Sequence, residues 1–215
     1  MEIELKYSIS DANSASKIWN DEELETIIDK GSRKKETLNA IYYDTEDGDL
    51  QNNGIAYRLR REDDILMATL KWRGGSEGAL HKREELNINL GEGLFPEEPS
   101  AEIFGESTIG KKLLKIIEGK KMQEVMRMNV LRRLFRVDTG DSIFEIAIDN
   151  GEIITSAGRE AISELEIELF NGSEKDLLKI GEMLQGKYNL EPEKRSKFER
   201  GLALLGRINI QEEEI

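Results

Sequence analysis

At 215 residues the chain is long enough to bury a core of its own without covalent staples. Its formal net charge of −13 argues against a general nucleic-acid binder, whose surface is basic, although an acidic total can still hide a basic interior. Cysteine is absent and His81 is the single histidine, which excludes disulfides, thiolate metal sites and a histidine-rich zinc site.

Glu2, Glu4 and Lys6 alternate with Ile3, Leu5 and Tyr7, so the chain opens in a strand. Residues 11–30 start at Asp11 and mix Ile18, Trp19, Leu24, Ile27 and Ile28 with charges, which predicts helix. A strand over 38–45 ends at a turn around Gly48. Strands follow at 55–61 and 65–73, then a glycine-rich turn at 74–78 and a strand at 81–90, the spacing of an antiparallel meander. Residues 97–127 carry helical spacing in parts, through Leu113, Leu114, Ile116 and Ile117. Strands return at 130–138, 143–149 and 161–170, Ser173 reads as the N-cap of a helix reaching Tyr188, and a last helix follows Pro192. Residues 211–215 read as a frayed acidic tail. No repeat, linker or run of about 20 apolar residues interrupts this pattern, so one domain over 1–215, no membrane span and a cytoplasmic location are expected.

The polar faces of these strands sort by charge. Arg58 and Arg60 share a phase, as do Thr69, Lys71 and Arg73, then Arg83, Glu85 and Asn87, then Arg132 and Arg136. Glu164, Glu166 and Glu168 form a same-phase acidic row, and like charges on one strand face are a cost. Removing Glu166 is therefore expected to relieve repulsion in the metal-free protein. Glu2 and Glu4 make a second pair, and such carboxylates are the hard oxygen ligands that Mg²⁺ or Mn²⁺ prefers. The opposite faces are apolar, as at Ile55, Tyr57 and Leu59. If the sheet closes with that face outward under helices, the charged face lines a cavity suited to a highly charged anion. The reading of fold class is α+β: a closed eight-stranded antiparallel β-tunnel with a charged interior and helices packed outside. By alternation Arg132 faces inward and Arg133 outward; His81 is expected at the surface, and Trp19 and Trp72 in packing.

In order along the chain, Glu2-Ile-Glu-Leu-Lys6, Tyr42-Tyr-Asp-Thr45, Arg58-Leu-Arg60, Thr69-Leu-Lys71, Arg83-Glu-Glu85, Ile148-Asp-Asn-Gly151, Glu164-Leu-Glu-Ile-Glu168 and Ser196-Lys197 resemble the motifs of the CYTH, or triphosphate tunnel metalloenzyme, family. The look is closest to its bacterial inorganic triphosphatases. The resemblance implies metal-dependent attack of water on a terminal phosphoryl group. It implies Glu2, Glu4 and one or more of Glu164, Glu166 and Glu168 as metal ligands. Lys6, Arg58, Arg60, Lys71, Arg83, Arg132 and Lys197, with Arg73 and Arg136, would bind phosphate. Glu85 would ligate metal, orient an arginine or position water, and Asp149 would hold a basic residue in place.

Inorganic triphosphate, with nucleoside triphosphates as further substrates, is the leading expectation for the small-molecule partner. The alternatives are a non-catalytic polyphosphate- or nucleotide-binding module and a same-fold adenylate cyclase or thiamine triphosphatase. No nucleic-acid partner is expected. Some relatives carry a histidine-rich helical domain linked to polyphosphate, which here would have to be a separate protein.

Overall fold

The computed structural model describes residues 1–208, and the acidic stretch at 211–215 lies outside the described residues. The strands are β1 (Glu2–Ser8), β2 (Lys34–Thr45), β3 (Ile55–Glu62), β4 (Ile65–Glu77), β5 (Leu80–Glu92), β6 (Met122–Asp138), β7 (Ile143–Thr155), β8 (Gly158–Asn171) and the short β9 (Glu191–Pro192). The helices are α1 (Ala12–Trp19), α2 (Glu22–Glu25), α3 (Asp49–Asn52), α4 (Thr108–Ile117), α5 (Glu174–Tyr188) and α6 (Lys197–Leu204). Among the described residues no helix is long and apolar enough to cross a membrane.

Strand order runs β5-β4-β3-β2-β6-β7-β8-β1, and β1 also pairs with β5, which closes an eight-stranded antiparallel barrel with β9 added as an extra strand. The closing strand divides one edge between two partners. Glu2–Leu5 lie against Leu80–Arg83 of β5, while Tyr7 and Ser8 lie against β9. Its other edge is fully taken by β8, with Glu4 opposite Glu168 and Lys6 opposite Glu166.

Local chemistry explains where the expected elements shift. The helix expected over 11–30 is two helices, because Asp21 re-caps the chain by accepting the Leu24 amide at 2.9 Å. Gly48 supplies a left-handed residue (φ 71) at the expected turn, and α3 follows it. Residues 74–77 are strand rather than turn: β4 runs through to Glu77, with its ladder to β5 shifted between Trp72 and Gly75, and the turn falls at Gly78 and Ala79. Helical spacing over 97–127 holds only for α4, and β6 has begun by Met122.

Outward faces carry the apolar rows. Leu5, Phe135, Phe144, Ile146, Leu165 and Ile167 pack under α1, α2 and α5, with Ile18, Leu24, Leu177 and Leu184 fully buried between them. Tyr57, Leu59, Ala68 and Leu70 pack under α4 with Phe104 and Leu113. Each such leucine stabilises the fold by about 1.5–3 kcal/mol. The third cluster is inside the barrel: Tyr42, Met126, Met128, Val130, Ile153 and Ile162 meet Phe198 and Leu202 of α6. Not every helix therefore packs on the outside, since α6 stoppers one end of the tunnel. Ser196 and Glu199 form its capping box, and Gly201 lies so close to Met126 that a Cβ there would meet Sδ at 2.2 Å. The barrel interior is thus half apolar and half charged.

Candidate active site

The charged half is a cavity of about 160 Å³. Period-two alternation sends Glu2, Glu4 and Lys6 into it from β1, Arg58 and Arg60 from β3, and Lys71 from β4. Arg83 and Glu85 enter from β5, Arg132 from β6, Glu166 and Glu168 from β8, and Lys197 from α6. Among the residues expected from sequence, three do not line it. Arg73 follows the ladder shift in β4, has left-handed backbone (φ 50) and points its side chain into solvent, 76% exposed, with Glu84 at 3.7 Å. Arg136 keeps the phase of Arg132 but lies beyond the cavity at an exposed rim, over the ring of Phe170. Glu164 is buried behind Lys197 and held by Arg200.

Within the cavity most charges are already engaged. Lys71 Nζ bridges Glu2 at 2.7 Å and Glu85 at 2.9 Å. Lys6 Nζ lies 3.0 Å from Glu4 and 3.1 Å from Glu166. Arg132 donates both arms of its guanidinium to Asp149 at 2.7 Å and a further bond to Glu166 at 2.6 Å. Lys197 Nζ reaches Glu164 at 2.5 Å, Glu166 at 2.7 Å and Asp149 at 3.0 Å. Arg200, a residue missed in the sequence, holds Glu164 from behind together with Glu160 at 2.6 Å. Burial pushes the Glu166 carboxyl up, but Lys197, Lys6 and Arg132 outweigh it and hold the group well below the usual range. Burial likewise opposes Asp149, and Arg132 with Lys197 keep it low. Removing Glu166 would therefore strip a counter-ion from three cations, the reverse of relieving repulsion.

The acidic row is left without a cation only at its far end, Glu168, among the described residues. Burial, reinforced by Glu2, Glu4, Glu85 and Glu145, pushes the Glu168 carboxyl up to about 8. Glu145, in phase with Asp149 on β7 and also missed in the sequence, is raised by burial with only partial relief from Arg132. These carboxylates offer hard oxygen donors facing one cavity. Among the described residues no three acidic or histidine side chains already converge on one metal-sized point. The donor chemistry fits a divalent cation, with the carboxylates still apart.

Opposite them lies positive charge that is only partly engaged, Arg60 pairing with Glu62 and Arg58 donating to Thr69 through one arm each. The Nε atoms of Arg58 and Arg60 are buried without a hydrogen-bond partner among the described residues. Burial, then the neighbouring Arg58, lowers Arg60 to about 10. Tyr42 also faces this cavity: burial resists its ionisation, but Arg58 and Lys71 bring its phenol below the ordinary value, and its ring stacks on Phe198 at 5.0 Å. Arg133 points outward over Trp19 at 5.7 Å, as alternation required. His81 is not a surface residue: it is buried, with Nε2 2.7 Å from the Glu193 carbonyl, and burial together with Lys6 lowers its pKa.

The chain matches the CYTH domain over residues 1–202. It is 30% identical over 167 residues to an inorganic triphosphatase of Haemophilus influenzae, a match covering 78% of this chain and 46% of that protein. The chain thus spans about half the length of that relative. In fold it is similar, at TM-score 0.69 and 19% identity with both chains fully covered, to a Hippeastrum protein described as a candidate adenylyl cyclase with a dominant triphosphatase activity. It is similar at TM-score 0.52 and 16% identity to the Mimivirus capping enzyme triphosphatase, covering 86% of this chain and 89% of that one. The match to the domain over nearly all of its length, on a closed barrel with a charged interior, places this chain in the CYTH domain family.

Proposed function

We propose that the chain hydrolyses the terminal phosphoryl group of inorganic triphosphate, and of nucleoside triphosphates as further substrates, with Mg²⁺ or Mn²⁺ as cofactor. The observation that carries this reading is the division of one cavity into two sides. Arg58 and Arg60 present unpartnered buried donors on one, and Glu168 with Glu2, Glu4, Glu85 and Glu145 crowds negative charge on the other. A receptor for anions alone has no use for the second side. The similarity to a triphosphatase from Haemophilus influenzae supports the same direction.

Glu2, Glu4 and Glu168 would hold the cation, which when bound supplies charge neutralisation for the phosphates and a more acidic water. Arg58, Arg60, Arg83 and Arg132 would clamp the phosphate chain, with Lys6, Lys71 and Lys197 as point charges exchanging their present carboxylate partners for phosphate oxygens. Glu85 would orient the attacking water, and Asp149 keeps Arg132 in place. Water attacks the terminal phosphorus, the bond to the bridging oxygen breaks, and diphosphate leaves. Little covalent chemistry is asked of the protein, because phosphoryl transfer depends on positioning and charge stabilisation.

The test is phosphate release from inorganic triphosphate, ATP and thiamine triphosphate, each with Mg²⁺, Mn²⁺ or EDTA. Metal-dependent release fastest from inorganic triphosphate is expected. Binding of these anions without phosphate release would return the chain to a binding module, and cyclic AMP appearing from ATP would make it a cyclase.

A further inference from the structure

β1 changes partner at Lys6. The Lys6 amide donates to the Ala79 carbonyl on the β5 side at 2.9 Å, while its carbonyl accepts from the Glu193 amide, just past β9, at 3.0 Å. A strap over 193–196, without regular structure, begins at this seam. It ends at Lys197, the first residue of α6 and one of the cations in the charged cavity. Where the strap sits, Lys197 follows.

Two side chains at the end of the β4–β5 hairpin hold the strap. His81 Nε2 lies 2.7 Å from the Glu193 carbonyl oxygen, and Ser76 Oγ donates to the Lys194 carbonyl at 2.9 Å. Ser76 and His81 are direct partners across the ladder, beyond the slip between Trp72 and Gly75. Directly opposed residues share a sheet face, so the two donors reach consecutive carbonyls of the strap together. They supply what a neighbouring strand would otherwise give through its amides.

His81 makes this contact at a cost. A carbonyl only accepts, so Nε2 carries the proton of the bond. Nδ1 is left buried without a partner among the described residues, a penalty that an apolar side chain would avoid. The ring does not line the charged cavity, so it acts on that cavity only through what it holds. Lys197 Nζ lies among Glu164, Glu166 and Asp149, all within 3.0 Å. A small displacement of the strap therefore changes how much of its charge is left for a phosphate.

We propose that His81 is a positioning residue for triphosphate binding: through the Glu193 carbonyl it fixes the strap, and with it the level at which α6 presents Lys197. Ser76 gives the same strap a second, exposed hold. This inference rests on the proposed reading of the cavity as a triphosphate site.

The experiment is isothermal titration of the full chain in EDTA with inorganic triphosphate, for wild type, His81→Gln, His81→Asn and His81→Leu, with melting curves alongside. A glutamine Nε2 stands as many bonds from the backbone as the histidine Nε2 and donates in its place, whereas the asparagine amide stops one atom short. Affinity is expected to fall by about tenfold in His81→Leu and His81→Asn, the order of one hydrogen bond to a charged group, and to stay within about twofold in His81→Gln. A space-filling role alone would lower melting temperatures without this pattern in affinity. Equal losses in His81→Gln and His81→Leu, or full affinity in His81→Leu, would overturn the proposal. Wild-type protein that binds no triphosphate would instead bring down the reading of the cavity. Should His81→Leu and His81→Asn fail to fold, Ser76→Ala carries the test. Its affinity should drop by about threefold at an unchanged melting temperature, and no drop would overturn the proposal.

Discussion

Glu4 on β1 and Glu168 on β8 are direct partners across an antiparallel ladder, a position where sheets ordinarily place opposite charges. Lys6 lies 3.0 Å from Glu4, and among the described residues no cation sits on Glu168. Burial, with Glu2 and Glu4 beside it, keeps a proton on Glu168 up to about pH 8, and a divalent cation displacing that proton would turn the pair into a contact.

Glu168→Gln is accordingly expected to raise the melting temperature in EDTA by about 2–4 °C, the shift that about 1 kcal/mol gives a chain of this size. It is also expected to erase the stabilisation that Mg²⁺ gives the wild type. Glu4→Gln should keep the fold and lose metal-dependent turnover. Thermal melts with and without Mg²⁺ read the first result; a full Mg²⁺ response in Glu168→Gln would remove that side chain from the cation site.

Asp149 predicts a different pH signature. Its carboxylate is buried against Arg132 and Lys197, and Asp149→Asn leaves those cations short of a partner, costing about 3–5 kcal/mol at neutral pH. Because its folded pKa lies below the ordinary value, this stabilisation is complete above that value and is lost as pH falls through the folded one. Urea denaturation should show wild type and variant converging below about pH 4. A constant gap down to the lowest pH would mean that packing, not charge, sets the loss.

Two arginines that the family resemblance assigned alike to phosphate binding should separate by function. Arg60→Ala removes a donor that is buried and unsatisfied in the cavity, so triphosphate affinity should fall by about 10- to 100-fold, as for a hydrogen bond to a charged group. Arg136→Ala removes an exposed side chain resting on Phe170 and should leave affinity unchanged. Titration calorimetry on both variants decides it, and equal losses would contradict the placement.

Gly201→Ala tests the helix that stoppers the tunnel. The added methyl meets Met126, and overpacking of this kind costs about 1–3 kcal/mol. Since α6 carries Lys197 into the cavity, triphosphate binding should weaken along with stability. Met126→Ala in the same chain should restore part of both by making room. No restoration would mean that the methyl acts elsewhere.

Much of this was legible because barrel strands alternate. Period two separates Ile3, Leu5 and Tyr7 from Glu2, Glu4 and Lys6 without knowledge of any partner strand, and it placed Arg132 inward and Arg133 outward. What alternation does not carry is position along the tunnel axis. Glu164, Glu166 and Glu168 look equivalent in one row, yet the neighbours across β7, α6 and β1 make the first a buried counter-ion and leave the last without a cation. Arg73 was misplaced because a ladder shift inside β4 leaves little trace beyond Gly74 and Gly75, which also read as a turn. Glu145 was within reach of the phase argument through Asp149. Arg200 was not, since its role depends on how a helix docks into the barrel.

The way β1 closes the ring bears on how the protein is made. Its partners are Leu80–Arg83, Glu164–Glu168 and Glu191–Pro192, so the first strand of this domain waits for nearly its last before both edges are satisfied. Contacts so distant in sequence form slowly, and a partly emerged chain would hold its arginines on β3 long before Glu2 and Glu4 could reach them. Ring closure, which brings the first and last strands of this domain together, is the step that joins Glu2 and Glu4 to the arginines in one cavity.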